Sequence, residues 1–400
     1  MNCSRRLTDT LYWVGANDRR IALFENVYPV PRGVSYNSYL LLDEKTALFD
    51  TIDQAFTHQL LENVSFVLDG RSLDYLIVNH MEPDHCASIA DILFRYPGVK
   101  IVCTAKAANM MKQFFEFDVD QYVVPVKEGD TLSLGVHTLT FVMAPMVHWP
   151  EVMVTYETTE KILFSADAFG SFGAIDGNIF ADETDYKNQW LPEARRYYCN
   201  IVGKYGPQVQ ALLKKASGLE ISMICPLHSV IWREDLPWLI DKYLKWSSYT
   251  PEEKSVTIAY GSVYGHTEKA ADILAGKLAD RGIRHISVFD VSKTHPSYII
   301  ADAFRTSAIV FASITYNGGI FCNMDTLLHQ LAAHGLTNRT AALIQNGTWA
   351  ATTSKQMGEI LGTMKNIHVL EADVTIKSAL KNDQETELDA LADAIAASLQ

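Results

Sequence analysis

Short apolar runs recur through the first 250 residues, each closed by a polar or glycine-bearing turn. Residues 11–14, 21–24, 38–42 and 46–49 have the length and content of strands, and residues 54–68 carry a helical pattern. The run Leu76-Ile77-Val78 closes a strand over 75–78 and feeds directly into N-H-M-E-P-D-H. Helical periodicity returns in C-A-S-I-A-D-I-L-F-R-Y, so His85 is expected where a strand-to-helix loop ends. Pro83, with its fixed φ and missing amide hydrogen, stiffens that loop.

The pattern changes near S-S-Y-T-P-E-E-K, residues 247–254, a short polar linker. Beyond it V-T-I-A-Y, H-I-S-V-F-D-V, A-I-V-F-A-S, A-A-L-I-Q-N and I-H-V-L-E-A alternate with helical stretches, and an Ala/Leu/Glu-rich helix ends the chain. Such alternation predicts a parallel sheet with helices on both faces. Two domains are therefore expected, over residues 1–250 and 254–400, and the 400-residue length favours two cores over one. No internal repeat or low-complexity tract interrupts them.

Composition narrows the function classes. Hydrophobic content of 48% with 20% charged residues is that of a globular protein. A net charge of −13 disfavours nucleic acid and anionic membrane surfaces as partners. The N-terminus lacks an apolar signal core and no segment is long and apolar enough to span a bilayer, so a cytoplasmic location is the default expectation. The six cysteines form no C-x-x-C pair, which excludes a zinc ribbon or a rubredoxin-type iron site.

Candidate chemistry lies at the ends of the predicted strands. His80, Glu82, Asp84 and His85 share one loop; His148 in M-V-H-W-P, Asp167 in L-F-S-A-D-A-F and His228 in C-P-L-H-S each trail an apolar run. A loop anchored on a sheet can aim several side chains at one point. His80 and Glu82, two apart, can chelate one ion from an extended segment, whereas the adjacent Asp84 and His85 suit a second ion or its surroundings. Seven nitrogen and oxygen donors exceed the needs of one ion, and Asp167 is the candidate bridge between two. Each distant residue alone reads as structural, as His137 does; the combination carries the weight.

A second set of motifs ends the strands of the later region. Gly261 is followed by Ser262-Val263-Tyr264-Gly265-His266-Thr267, a hydroxyl-rich loop opening a helix and suited to a phosphate, without a Walker lysine. Ser313-Ile314-Thr315-Tyr316-Asn317-Gly318-Gly319 and Asn346-Gly347-Thr348-Trp349-Ala350 end two neighbouring strands. Three such loops define the crevice of a doubly wound sheet, where Tyr316 and Trp349 can cover a flat ring. For either aromatic taken singly, local packing is the plain alternative.

With these motifs in hand, the first region resembles the metallo-β-lactamase superfamily, with Glu82 in place of the second histidine of H-x-H-x-D-H. That change resembles the flavodiiron protein (A-type flavoprotein) family, and the later region resembles flavodoxin. The resemblance spans essentially the whole chain and implies an αββα sandwich followed by a flavodoxin-like doubly wound parallel sheet. It implies two non-haem irons, one held by His80, Glu82, His148 and Asp167. The other would take Asp84, His85, His228 and the shared Asp167, although the residue matching His85 can stand off the metal in this family. Three carboxylates among seven donors agree with iron over zinc. FMN is likewise implied, its phosphate near Ser262, Tyr264, Gly265, His266 and Thr267 and its ring or ribityl chain near Thr315, Tyr316, Asn317 and Gly318. Ile314 stands where proline is common, and N-G-T-W-A where a G-S-Y-G-W-like loop is frequent.

The implied reaction is reduction of dioxygen to water, of nitric oxide to nitrous oxide, or of both. No rubredoxin module follows Gln400, so a separate donor, rubredoxin foremost, is expected. A head-to-tail homodimer, or a dimer of dimers, is expected to bring the FMN of one subunit to the irons of another. Trp149 is a candidate wall of a gas pocket, and Tyr197 or Tyr198 a candidate hydrogen-bond donor. The competing reading is a zinc hydrolase carrying a flavodoxin-like accessory domain.

Overall fold

Phe49 and Phe164 stack face to face, with ring centroids 3.7 Å apart, and mark the seam between two sheets. In this computed structural model, which describes Met1–Gln400, Phe49 belongs to a seven-stranded sheet. Its strands run in the order Arg5–Arg6, Leu11–Trp13, Tyr39–Leu41, Ala47–Phe49, Tyr75–Val78, Lys100–Thr104 and Val123–Val126. Phe164 belongs to a five-stranded sheet ordered Thr131–Ser133, Thr138–Met143, Met153–Glu157, Ile162–Phe164 and Met223–Cys225. Side chains from both inner faces, among them Tyr39, Phe49, Phe141 and Cys225, are buried there.

Helices Thr57–Leu68, Ile89–Arg95 and Ala105–Phe114 connect strands of the first sheet, and Gly206–Ala216 and Leu236–Ser247 follow the second, completing an αββα sandwich. The later region is doubly wound. Five parallel strands run in the order Ser287–Asp290, Glu253–Gly261, Thr306–Tyr316, Arg339–Asn346 and Ile367–Ile376. Helices His266–Asp280 and Glu385–Ser398 cover one face; Pro296–Arg305, Cys322–Ala333 and Thr353–Leu361 cover the other. No helix is long and apolar enough to cross a membrane.

Several local expectations change. Residues 21–24 keep only Leu23–Phe24 as a strand, paired antiparallel with Tyr28–Pro29 across a turn in which Glu25 and Asn26 hold φ of 52° and 56°. The helix after the ligand loop is split into Pro83–Cys86 and Ile89–Arg95, so His85 lies inside a helical turn rather than at a loop's end. His137 precedes the strand Thr138–Met143 and is buried against Asp43, at 2.9 Å.

The chain divides into two units, but not at a single break near residue 250. One comprises Met1–Tyr198 and Pro207–Tyr243; the other comprises Cys199–Gly206 and Leu244–Gln400. Cys199–Gly206 joins the later unit because Tyr249 donates its hydroxyl to the Gly203 carbonyl at 2.9 Å and Asn200 bonds the Ser297 carbonyl at 3.2 Å.

Candidate functional site

All seven predicted ligands are buried and converge where strand-end loops of the two sandwich sheets meet. The loop after Tyr75–Val78 supplies His80, Glu82, Asp84 and His85. Loops after Thr138–Met143, Ile162–Phe164 and Met223–Cys225 supply His148, Asp167 and His228. Their donors fall into two clusters, His80/Glu82/His148/Asp167 and Asp84/His85/His228, with all ligand atoms inside each cluster within 4.8 Å of one another.

Asp167 joins the clusters through its two oxygens. Oδ2 lies 3.2 Å from His80 Nε2 and 3.1 Å from His148 Nε2. Oδ1 lies 3.3 Å from His85 Nε2 and 3.7 Å from His228 Nε2. Glu82 Oε2 approaches His148 Nε2 at 3.1 Å, and Asp84 Oδ2 approaches His228 Nε2 at 3.2 Å. Both Asp84 oxygens and Asp167 Oδ1 are buried without a hydrogen-bond partner, an arrangement that cations satisfy. Hard carboxylates mixed with imidazoles suit divalent first-row metals, so the residues fit a pair of ions.

The electrostatics follow from that crowding. Burial alone drives the Asp167 carboxyl up, but His80 and His85 outweigh it and hold it well below the ordinary range. Glu82 is likewise pushed up by burial and pulled lower by His148 and His80. Burial lowers the His148 imidazole, yet its bonds to Asp167 and Glu82 carry it up to about 9. A metal ion held by these residues would take the place of those imidazole protons.

Backbone strain gathers around the same loops. Asp50, Met146, Ala166, Phe169 and Ser229 hold positive φ, between 50° and 83°. Left-handed non-glycine residues cost about 1–2 kcal/mol each, and they persist where surrounding packing over-determines them.

In the later unit, a cavity of about 250 Å³ opens at the carboxyl ends of the parallel strands. It brings together Ser262, Val263, Tyr264, His266, Thr267, Ile314, Thr315, Tyr316, Gly318, Asn346, Gly347, Thr348 and Trp349 from the predicted loops. Four predicted residues do not line it. Gly265 instead forms the left-handed cap of the helix His266–Asp280, with φ of 88°. Ser313 is buried and its Oγ accepts the Phe321 N–H; Asn317 shapes the turn at φ 50°, and Gly319 pairs back against Tyr316. The first turn of that helix carries no side-chain cap, leaving its amides toward the crevice for an anion. Of the two aromatics expected to cover a ring, Trp349 is 92% exposed and does not pack locally, whereas Tyr316 is half exposed and stands edge-on to Phe321.

Sequence and structure comparisons bear on these two sites together. A family model described as ODP family beta lactamase matches residues 34–229. An anaerobic nitric oxide reductase flavorubredoxin from Aeromonas hydrophila is 32% identical over 352 residues, covering 86% of this chain and 70% of that protein. The chain belongs to the flavodiiron protein family. The fold of this flavodiiron protein matches rubredoxin oxygen:oxidoreductase from Desulfovibrio gigas at a TM-score of 0.91, with 29% identity over 99% of this chain and 98% of that one. The flavodiiron protein from Giardia intestinalis superposes at 0.93, with 26% identity over 100% and 98%. Family membership makes this flavodiiron protein an oxidoreductase.

Residues that hold the ligands escaped the sequence reading. Asp50, buried after the strand Ala47–Phe49, accepts the N–H groups of Asn79 and His80 at 2.7 and 3.1 Å. Burial raises its carboxyl to about 6 against the lowering effect of the Asn79 side chain. Glu151 accepts from the His80 ring at 2.8 Å. Both are acids beside a strand end or a ligand histidine, the same signal that picked out the ligands. Ala350 and Ser378 also line the crevice of this flavodiiron protein; Ser378 follows the strand Ile367–Ile376, where the strand-end rule points too. Trp149 stands edge-on to His80, at 5.3 Å between centroids. Tyr197 packs 5.5 Å from His228, with a buried hydroxyl that has no hydrogen-bond partner.

Proposed function

We propose that this chain takes electrons from an external donor, rubredoxin or a protein like it, and passes them through FMN to a non-haem di-iron site. There dioxygen is reduced to water, nitric oxide to nitrous oxide, or both. The observation that carries the reading is the bridging disposition of Asp167, whose two oxygens face two separate donor sets. The names of the relatives support it: one is a nitric oxide reductase, another a rubredoxin oxygen:oxidoreductase.

His80, Glu82, His148 and Asp167 would hold one iron, and Asp84, His85, His228 and Asp167 the other. FMN would occupy the crevice, its phosphate toward Ser262–Thr267 at the helix start and its ring beside Tyr316 and Trp349. Two ferrous ions supply two electrons and a reduced flavin two more, which matches four-electron reduction of dioxygen or two-electron coupling of nitric oxide. The chain's own part is charge and shape. Glu82, Asp84 and Asp167 bring three negative charges that compensate added positive charge, and the aromatic faces of Trp149 and Tyr197 keep the rim of the site apolar.

Two redox centres in one circuit also support a head-to-tail homodimer, alone or paired into a tetramer, in which the FMN of one subunit serves the irons of the other. A cytoplasmic location fits reduced thiols: no disulfide joins the six cysteines. Sedimentation at assay concentration tests the assembly, since a monomer with full turnover removes it.

The deciding experiment is paired consumption of oxygen and nitric oxide by anaerobically purified protein with reduced rubredoxin, alongside metal and flavin analysis. About two irons and one FMN per chain with rapid loss of either gas is the expected result. Stoichiometric zinc without flavin absorbance would return the reading to a hydrolase.

A further inference from the structure

Each metal-facing histidine has a second ring nitrogen, and what that nitrogen touches differs between the two clusters. His80 Nδ1 lies 2.8 Å from Glu151 Oε1. His228 Nδ1 lies 2.7 Å from the Ser35 carbonyl, a neutral acceptor. His85 Nδ1 is buried with no hydrogen-bond partner. The histidines are therefore supported unequally, and only the first cluster has a carboxylate behind one of its imidazoles among these three.

Glu151 is built into place. It is only 2% exposed, and its Oε1 also accepts the Met81 N–H at 2.9 Å. Its own carbonyl accepts the Thr104 hydroxyl at 3.1 Å, beside the start of the helix Ala105–Phe114. One oxygen thus clamps both the His80 ring and the peptide that follows it, while Oε2 is buried without a hydrogen-bond partner. A carboxylate in this position fixes the tautomer with Nε2 toward the metal, and it makes the imidazole a stronger electron donor.

Resting on the di-iron reading above, we propose that Glu151 is a positioning residue that makes the two irons inequivalent. Through His80 it stabilises the ferric state of the iron in the His80/Glu82/His148 cluster. That iron therefore gives up its electron first on oxidation and regains it last on reduction. The Asp84/His85/His228 iron, backed by a neutral carbonyl, oxidises second.

Glu151→Gln separates charge from geometry. The amide oxygen can still accept from His80 and Met81, but the negative charge is gone. In protein loaded with 57Fe under anaerobic conditions, a mediated redox titration followed by Mössbauer spectroscopy resolves the two one-electron steps. The variant is expected to bind two irons and to move the lower-potential step upward by about tenfold in its equilibrium constant, about 59 mV, leaving the other in place. Glu151→Ala, which removes the clamp as well, is expected to weaken one iron of the pair by about 10- to 100-fold. Two iron steps that coincide with wild type in a two-iron Glu151→Gln protein overturn the assignment. Should the variants fail to fold, zinc-loaded wild-type protein decides it by NMR. The His80 Nδ1 proton must then resonate downfield of the His228 Nδ1 proton, and equal shifts refute the proposal. Wild-type protein that takes up no iron defeats the di-iron reading itself, and this one with it.

Discussion

The Nε2 atoms of His85 and His228 stand 3.0 Å apart inside the sandwich unit, too close for both to carry a proton comfortably. Either one proton is shared or a cation sits between their lone pairs, and Asp84 at 3.3 and 3.2 Å from the two rings supplies the matching charge. His228→Ala should remove one arm of this cluster and leave the other intact. Iron content is expected to fall from about two to about one per chain, measured after gel filtration of reconstituted protein.

Asp167→Asn should act on both ions. An amide offers one oxygen where the carboxylate offers two, and its NH₂ faces donors or metal on the other side. Iron content well below that of His228→Ala is expected, because Oδ1 and Oδ2 face different clusters. Retention of two irons in Asp167→Asn would rule out the bridge.

Metal removal should destabilise the sandwich unit. A ligand at a thousandfold excess over its dissociation constant contributes about 4 kcal/mol. Chelated protein is therefore expected to melt well below iron-loaded protein, with the earlier transition assigned to the sandwich unit by calorimetry.

Gly347→Ala tests the crevice. A Cβ at this position would meet the Ala350 carbonyl oxygen at 1.9 Å, so the loop carrying Thr348 and Trp349 must move. FMN affinity should drop at least about tenfold, or 1.4 kcal/mol, while iron content stays unchanged. Fluorescence titration of the apoprotein reads it.

Asp43 predicts acid sensitivity away from either site. Burial acts to raise its carboxyl, but the N–H groups of His137 outweigh it and hold it at about 2. A depressed carboxyl stabilises the fold above its unfolded value of about 4, and that contribution disappears as pH falls through about 2. Asp43→Asn should lose about 1–3 kcal/mol at neutral pH and flatten the stability decline between those values, followed by urea unfolding at each pH.

The strand ends bearing His80 through His228, the parallel alternation after the linker and the three crevice loops were legible in the sequence, because they depend on short-range periodicity and spacing. The backbone conformation of a few neighbours decides such features, and glycine, proline and apolar runs report it directly. What only the tertiary structure decided were relations across distance. His80 and Glu151 are 71 residues apart, and their pairing depends on how two sheets pack; Asn79 reaches Asp50 over 29, and that pairing depends on which strands lie side by side within one sheet. The same holds for which oxygen of Asp167 faces which cluster, for Cys199–Gly206 joining the later unit, and for Ser378 reaching the crevice. Residue type states what chemistry a side chain can perform; its partner is set by packing that buries apolar surface far from the bond itself.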